Sequence, residues 1–208
     1  MSLENISATR INLIQTKKTL SLAESGRDIL ERKRDILLRE LRNSIYEAER
    51  MREELSGALV GAYRSLKDAE LAKGSDTVGN VALGSSFEAD FLLDYRSIMG
   101  VTVPIVEFKG EENVKPDYGF ANTSAELDKA FKQFYAALDF IAELAKAEGT
   151  VFQIANDVRR TQRRVNALNH VLIPMYRTTV RRIEGVLEEK DREEFVRTKQ
   201  IKRMIKGE

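Results

Sequence analysis

Residues Val151–Thr179 read VFQIANDVRRTQRRVNALNHVLIPMYRTT. Stepping through Val151, Ile154, Val158, Thr161, Val165, Leu168, Leu172, Met175 and Thr179 takes alternating strides of three and four, and seven of those nine positions are apolar. That spacing lines one stripe of a single α-helix. Between the stripe positions stand Asn156, Asp157, Arg159, Arg160, Gln162, Arg163, Arg164 and Arg177, groups that keep their water. A narrow apolar seam on a polar helix cannot be buried by the helix itself, so a second long helix is required.

The N-terminal third supplies one. From Thr9 to about Lys73 there is no Pro and good helix formers dominate. A strict seam follows Leu30, Arg34, Leu37, Leu41, Ser44, Ala48, Met51, Leu55, Ala58, Ala62, Ser65 and Ala69. Ile29, Ile36, Ile45, Leu59 and Leu66 widen the stripe, so this helix faces more than one neighbour over part of its length. At 1.5 Å per residue it spans roughly 95 Å.

The pattern breaks at Lys73. Gly74, Gly79 and Gly84 with Ser75, Ser85 and Ser86 predict a loop region, and Phe87–Tyr95 a short helix. The β-branched run Val101–Phe108 predicts an extended segment, interrupted by Pro104 and therefore short and at an edge. Lys109–Gly119 is turn-like. Thr123 and Glu126 have capping-box spacing just before Leu127, Ala130, Phe131, Phe134, Leu138 and Ile141, and from there a helical pattern runs to about Ile205. Gly149 sits inside that pattern, and Pro174 removes a backbone hydrogen bond and should kink or loosen the helix. After Met175 the seam slips by one residue, to Tyr176, Val180, Ile183 and Leu187.

The expected fold is therefore all-α: a long antiparallel two-helix coiled coil of the N- and C-terminal helices, with a small irregular or short β-hairpin insert at the turn end. Its segments are a shaft helix over 1–73, an acidic insert over 74–122 and a second shaft helix over 123–208. The charge pattern suits that division. Residues 70–128 hold eleven acidic and four basic side chains, whereas residues 150–208 hold eight and fourteen, so the two ends should meet different partners.

What the 208 residues lack is as informative. With 32% charged residues, no Cys, no Trp and one His, the composition fits exposed helices and a reducing compartment. Met1–Thr9 has no signal-peptide core, and the uncharged run Val165–Tyr176 is far short of the roughly 18–20 residues of a membrane span. Asn5 and Asn122 match the glycosylation pattern by chance. No phosphate-binding loop exists, because the glycines at 74, 79 and 84 lack the Lys, the hydroxyl partner and a preceding strand. His170 stands alone, so metal binding is not expected. The acidic pairs Glu53/Glu54, Glu111/Glu112 and Glu188/Glu189 are adjacent in sequence and splay apart on a helix. No residue takes a catalytic, cofactor or metal role. Arg159, Arg160, Arg163 and Arg164 could neutralise phosphates, but no aromatic residues interleave with them, so nucleic acid is not the expected partner. Gly26, Gly57 and Gly61 in the first helix are either tolerated surface glycines or sites of close helix approach.

Several motifs resemble one family throughout. TRINL at 9–13, Lys17-Lys18 and GRDILERKRDIL at 26–37 resemble the N-terminal helix of the D subunit of archaeal-type and vacuolar-type rotary ATPases. So do MGVTVP at 99–104, TSAELD at 123–128, RRVNAL at 163–168 with Ile173-Pro174, and Glu193-Glu194-Phe195 with Lys199 and Lys202. Where the family often has His, Glu and Arg, this chain has Arg27, Asn169 and Met175. The resemblance implies a central-stalk rotor shaft that couples ATP synthesis or hydrolysis to ion translocation through a membrane ring. It implies a non-catalytic component whose terminal helices enter a head of catalytic and non-catalytic subunits. The turn end would join the small central-stalk F subunit and the C subunit that forms a socket above the membrane ring. The expected location is peripheral, on the cytoplasmic face of the cell membrane. Composition alone would favour a generic coiled-coil scaffold or tether.

Overall fold

The computed structural model describes residues 6–85, 89–110, 118–119 and 123–206. Helix α1 covers Arg10–Lys73 and α2 Ser75–Gly84, strands β1 and β2 cover Phe91–Ile98 and Val101–Phe108, and α3 covers Ala125–Ala167. A five-residue π-helical turn, Leu168–Leu172, leads into α4 at Ile173–Lys206. The chain forms two units, residues 1–36 with 159–208 and residues 37–158.

In the first unit α1 is capped by Thr9, whose hydroxyl accepts the Asn12 N–H at 3.2 Å. It runs antiparallel to the C-terminal helix, as four cross-helix contacts record: Arg10 to Asp191, Lys17 to Glu184, Arg177 to Glu24 and Asn169 to Glu31. The α1 members are seven residues apart, the coiled-coil period. Thr16, Thr161, Val165, Ile173, Thr179, Val180 and Ile183 are buried between the helices. The slip in the seam occurs one turn earlier than the sequence pattern suggests. Ile173, not Leu172, is the buried position, and Met175 is exposed. The cause is the π-turn, which adds a residue to one turn ahead of Pro174.

In the second unit Leu37 on α1, Ile154 on α3, and Val101 and Val103 on β2 form the core, with Leu41, Ile98 and Val158 around it. Arg52 pairs with Glu148 at 2.7 Å, and Tyr63 meets Phe134 edge to face with ring centres 5.2 Å apart. These contacts set α1 and α3 antiparallel here too. The strands pair antiparallel from Ile98↔Val101 to Phe91↔Phe108. Met99 and Gly100 make the two-residue turn with φ of 52° and 80°, as a type I′ hairpin requires. β2 lies along α3: Pro104 reaches the α3 backbone at Gly149, and Phe108 stacks edge-on against Tyr135.

Several local expectations need correction. Residues 75–84 are helix rather than loop, because burying Val78 offsets the cost of two helical glycines. Of Gly74, Gly79 and Gly84, only Gly74 serves a turn, with φ of 86° between α1 and α2. The expected helix at 87–95 is strand from Phe91 onward, and 87–88 lie outside the described residues. Pro104 does not shorten β2, since each strand of a two-stranded sheet has a free edge that tolerates a missing N–H. α3 is capped by Ser124 and not Thr123: the Leu127 N–H meets the Ser124 hydroxyl at 3.4 Å. Added side chains at Gly26, Gly57 and Gly61 would meet open space, so none marks a close approach; Gly149 does. Residues 111–117 of the turn-like stretch, Glu111/Glu112 among them, and Asn5 and Asn122 lie outside the described residues.

Candidate functional site

Of the residues that could carry chemistry, the carboxylates and the lone histidine come first. No group of three or more His, Asp or Glu side chains that could hold a metal occurs among the described residues. His170 sits exposed in the π-turn. Glu53, Glu54, Glu188 and Glu189 are exposed. Gly79 and Gly84 lie within α2, so that segment has helical, not phosphate-cradling, geometry.

What the chain does present is surface, of three kinds. The first is the end of α4. From Glu188 to Ile205 every residue is exposed, and Phe195, Val196, Ile201, Met204 and Ile205 are 52–81% exposed. Among the described residues, the last ion pair between α4 and α1 is Arg10 with Asp191. Ile6 turns back instead, its carbonyl accepting from the Arg182 guanidinium at 3.2 Å. Beyond Asp191 the helix has no partner among the described residues. This surface is readable in principle: the internal seam ends at Leu187, yet apolar residues continue for almost five more turns.

The second surface is basic. Arg159, Arg160, Arg163 and Arg164 are all exposed, and none forms an ion pair among the described residues. The third is apolar and belongs to the second unit. On β1, Phe91, Leu92, Leu93 and Tyr95 are exposed, and Met99 follows at the turn. In the same unit, Leu66, Val78, Leu127, Phe131 and Phe134 line an apolar groove of about 360 Å³. Tyr118 closes one side; its hydroxyl donates to Asp128 at 2.7 Å, and partial burial together with that carboxylate raises the phenol pKa well above its ordinary value.

Exposed surfaces of these kinds suggest a component of an assembly. A family model described as the D subunit of ATP synthase matches residues 12–203. The chain belongs to that family. It is 38% identical over 204 residues to the A-type ATP synthase D subunit of Methanopyrus kandleri, covering 98% of this chain and 88% of that one. It is also 38% identical over 201 residues to the V-type ATP synthase D subunit of Thermotoga neapolitana, covering 97% and 98%. The A-type D subunit of Methanosphaera stadtmanae is 38% identical over 205 residues, covering 98% and 96%. The resemblance carried by the sequence motifs is thereby established over nearly the whole length. As part of an A/V-type rotary ATP synthase, the chain works beside the other components of a membrane-associated complex. Among the described residues no helix is long and apolar enough to cross a membrane.

Proposed function

We propose that this chain is the non-catalytic central-stalk shaft of its ATP synthase, coupling nucleotide turnover in the head to ion movement through the membrane ring. The observation that carries the reading is the bare end of α4, with Phe195, Val196, Ile201, Met204 and Ile205 exposed past the last ion pair with α1. Such a helix end stabilises an assembly only when other chains cover it. Catalytic and non-catalytic head subunits are the proposed cover. The small central-stalk F subunit and the socket-forming C subunit are the proposed partners of the second unit, where the insert over 74–122 supplies the exposed hairpin and part of the groove lining. The complex then sits on the cytoplasmic face of the membrane. An asymmetric shaft forces chemically identical head sites into different conformations as it turns, which needs no active site of its own.

A tether would hold the same contacts without turning, and one experiment separates the two. The chain has no Cys, so Val196→Cys gives it a single thiol on the exposed end of α4. A second thiol on a facing head residue forms a disulfide when the Cα atoms lie within about 7 Å. In the assembled complex, oxidation should abolish coupled ATP turnover and reduction should restore it. Full turnover in a quantitatively crosslinked complex contradicts the shaft and favours the tether.

A further inference from the structure

The buried and half-buried positions that face α1 step by three or four residues through Thr161, Val165 and Leu168, and again from Ile173 through Tyr176, Val180 and Ile183 to Leu187. Half-buried Leu172 follows Leu168 by four, but the next fully buried position, Ile173, follows it by five. The cross-helix contacts show the same surplus. Arg10, Lys17, Glu24 and Glu31 are seven apart on α1, and Asp191, Glu184 and Arg177 are seven apart on α4, but Asn169 is eight from Arg177. One residue too many has entered the C-terminal helix, and α1 has no matching insertion. The π-turn takes it up: the Ile173 N–H donates to the Leu168 carbonyl, five residues back. Pro174 follows at once and has no N–H to give. None of the five residues in the turn is buried.

A straight α-helical path through the same residues would rotate α4 by about 100°. Tyr176, Val180, Ile183 and Leu187 would leave α1, Arg182 would enter the seam, and the three ion pairs beyond the turn would part. The surplus therefore has to be absorbed, and it is absorbed in a turn that contains no fully buried residue. We propose that Leu168–Leu172 is a register joint. It takes up the surplus residue and is the point at which the C-terminal helix bends and twists while α1 beside it remains uninterrupted α-helix.

The proposal makes deletion and insertion unequal at one place. Deleting Pro174 removes the surplus and the imino ring together, and a continuous α-helix then carries Leu168, Leu172, Tyr176, Val180, Ile183 and Leu187 on one seam. Inserting a single alanine after Pro174 adds a second surplus residue that one π-turn cannot hold. On the full chain, followed by circular dichroism, the deletion should melt at or above the parent temperature and the insertion about 10 °C or more below it. Backbone amides of residues 169–175 should exchange faster than their helical neighbours in the parent, and slow by about tenfold or more in the deletion variant. A deletion that melts nearer to the insertion variant than to the parent overturns the joint as a register device. Unchanged exchange in a deletion variant of parental stability overturns it as a point of bending.

Discussion

The two units solve one problem, covering the exposed side of a helix pair, in different ways. In the first unit the helices have each other and little else. Their buried contacts are narrow and partly polar, with Thr16, Thr161 and Thr179 among Val165, Ile173, Val180 and Ile183, and charged pairs flank them. In the second unit a hairpin adds a third layer, so Leu37 and Ile154 on the helices close against Val101 and Val103 with all four nearly inaccessible. Exposed ion pairs contribute only about 0–1 kcal/mol each, whereas full burial of one aliphatic side chain contributes about 1.5–3. The layered unit should hold most of the stability and the bare pair most of the freedom to engage other chains.

The largest effect that would break this contrast is in the layered core. Ile154→Ala should cost about 2–5 kcal/mol, because the hole opens among three elements and cannot collapse onto one neighbour. A loss below about 1 kcal/mol in denaturant unfolding would mean that the hairpin is not a working layer.

Glycines sharpen the contrast with opposite signs. At Gly149 a Cβ would lie 2.6 Å from the Pro104 Cγ, so Gly149→Ala should destabilise by about 1–2 kcal/mol, overpacking outweighing the gain in helix propensity. Gly26→Ala, with open space around it, should stabilise by about 0.5–1 kcal/mol. Thermal melts that move both variants in the same direction would refute the close approach. At the hairpin turn, Met99 adopts a left-handed backbone conformation at φ 52°, which Asn tolerates better. Met99→Asn should raise stability by about 0.5–1 kcal/mol and leave the first unit unaffected.

The smallest effect belongs to the charged rungs. Arg177→Ala should cost about 0.2–1 kcal/mol, and the loss should shrink at high salt, since Arg177 and Glu24 are both partly solvated. A salt-independent loss above about 2 kcal/mol would assign the pair a structural weight that its exposure does not allow.

How much of this is legible in the sequence tracks how local the cause is. The long seams are visible because every fourth or third residue repeats the same demand, and a single partner satisfies them all. The strand Phe91–Ile98 is not visible. Seven of its eight residues are exposed, so no inside–outside alternation is written into them, and only pairing with β2 makes them extended. Helix α2 is hidden by its glycines, because its reason for existing is the groove that Val78 helps to line. Gly149 registers as an anomaly, but its meaning depends on Pro104, distant in sequence. The one-residue slip near Pro174 shows as a change of stripe, yet its position needs the π-turn hydrogen bond from Ile173 to Leu168. The candidate surface divides likewise. That no catalytic residue is expected rests on residue types alone, whereas the bare apolar end of α4 requires knowing where its pairing with α1 stops.

The central claim is that this chain turns within its complex. Ser97→Cys places a single thiol on the exposed strand β1 of the second unit. With the head fixed to a surface and a bead or rod attached to that thiol, ATP should drive continuous rotation of the probe in one direction. Complexes that hydrolyse ATP at full rate while the attached probe stays fixed would contradict the account.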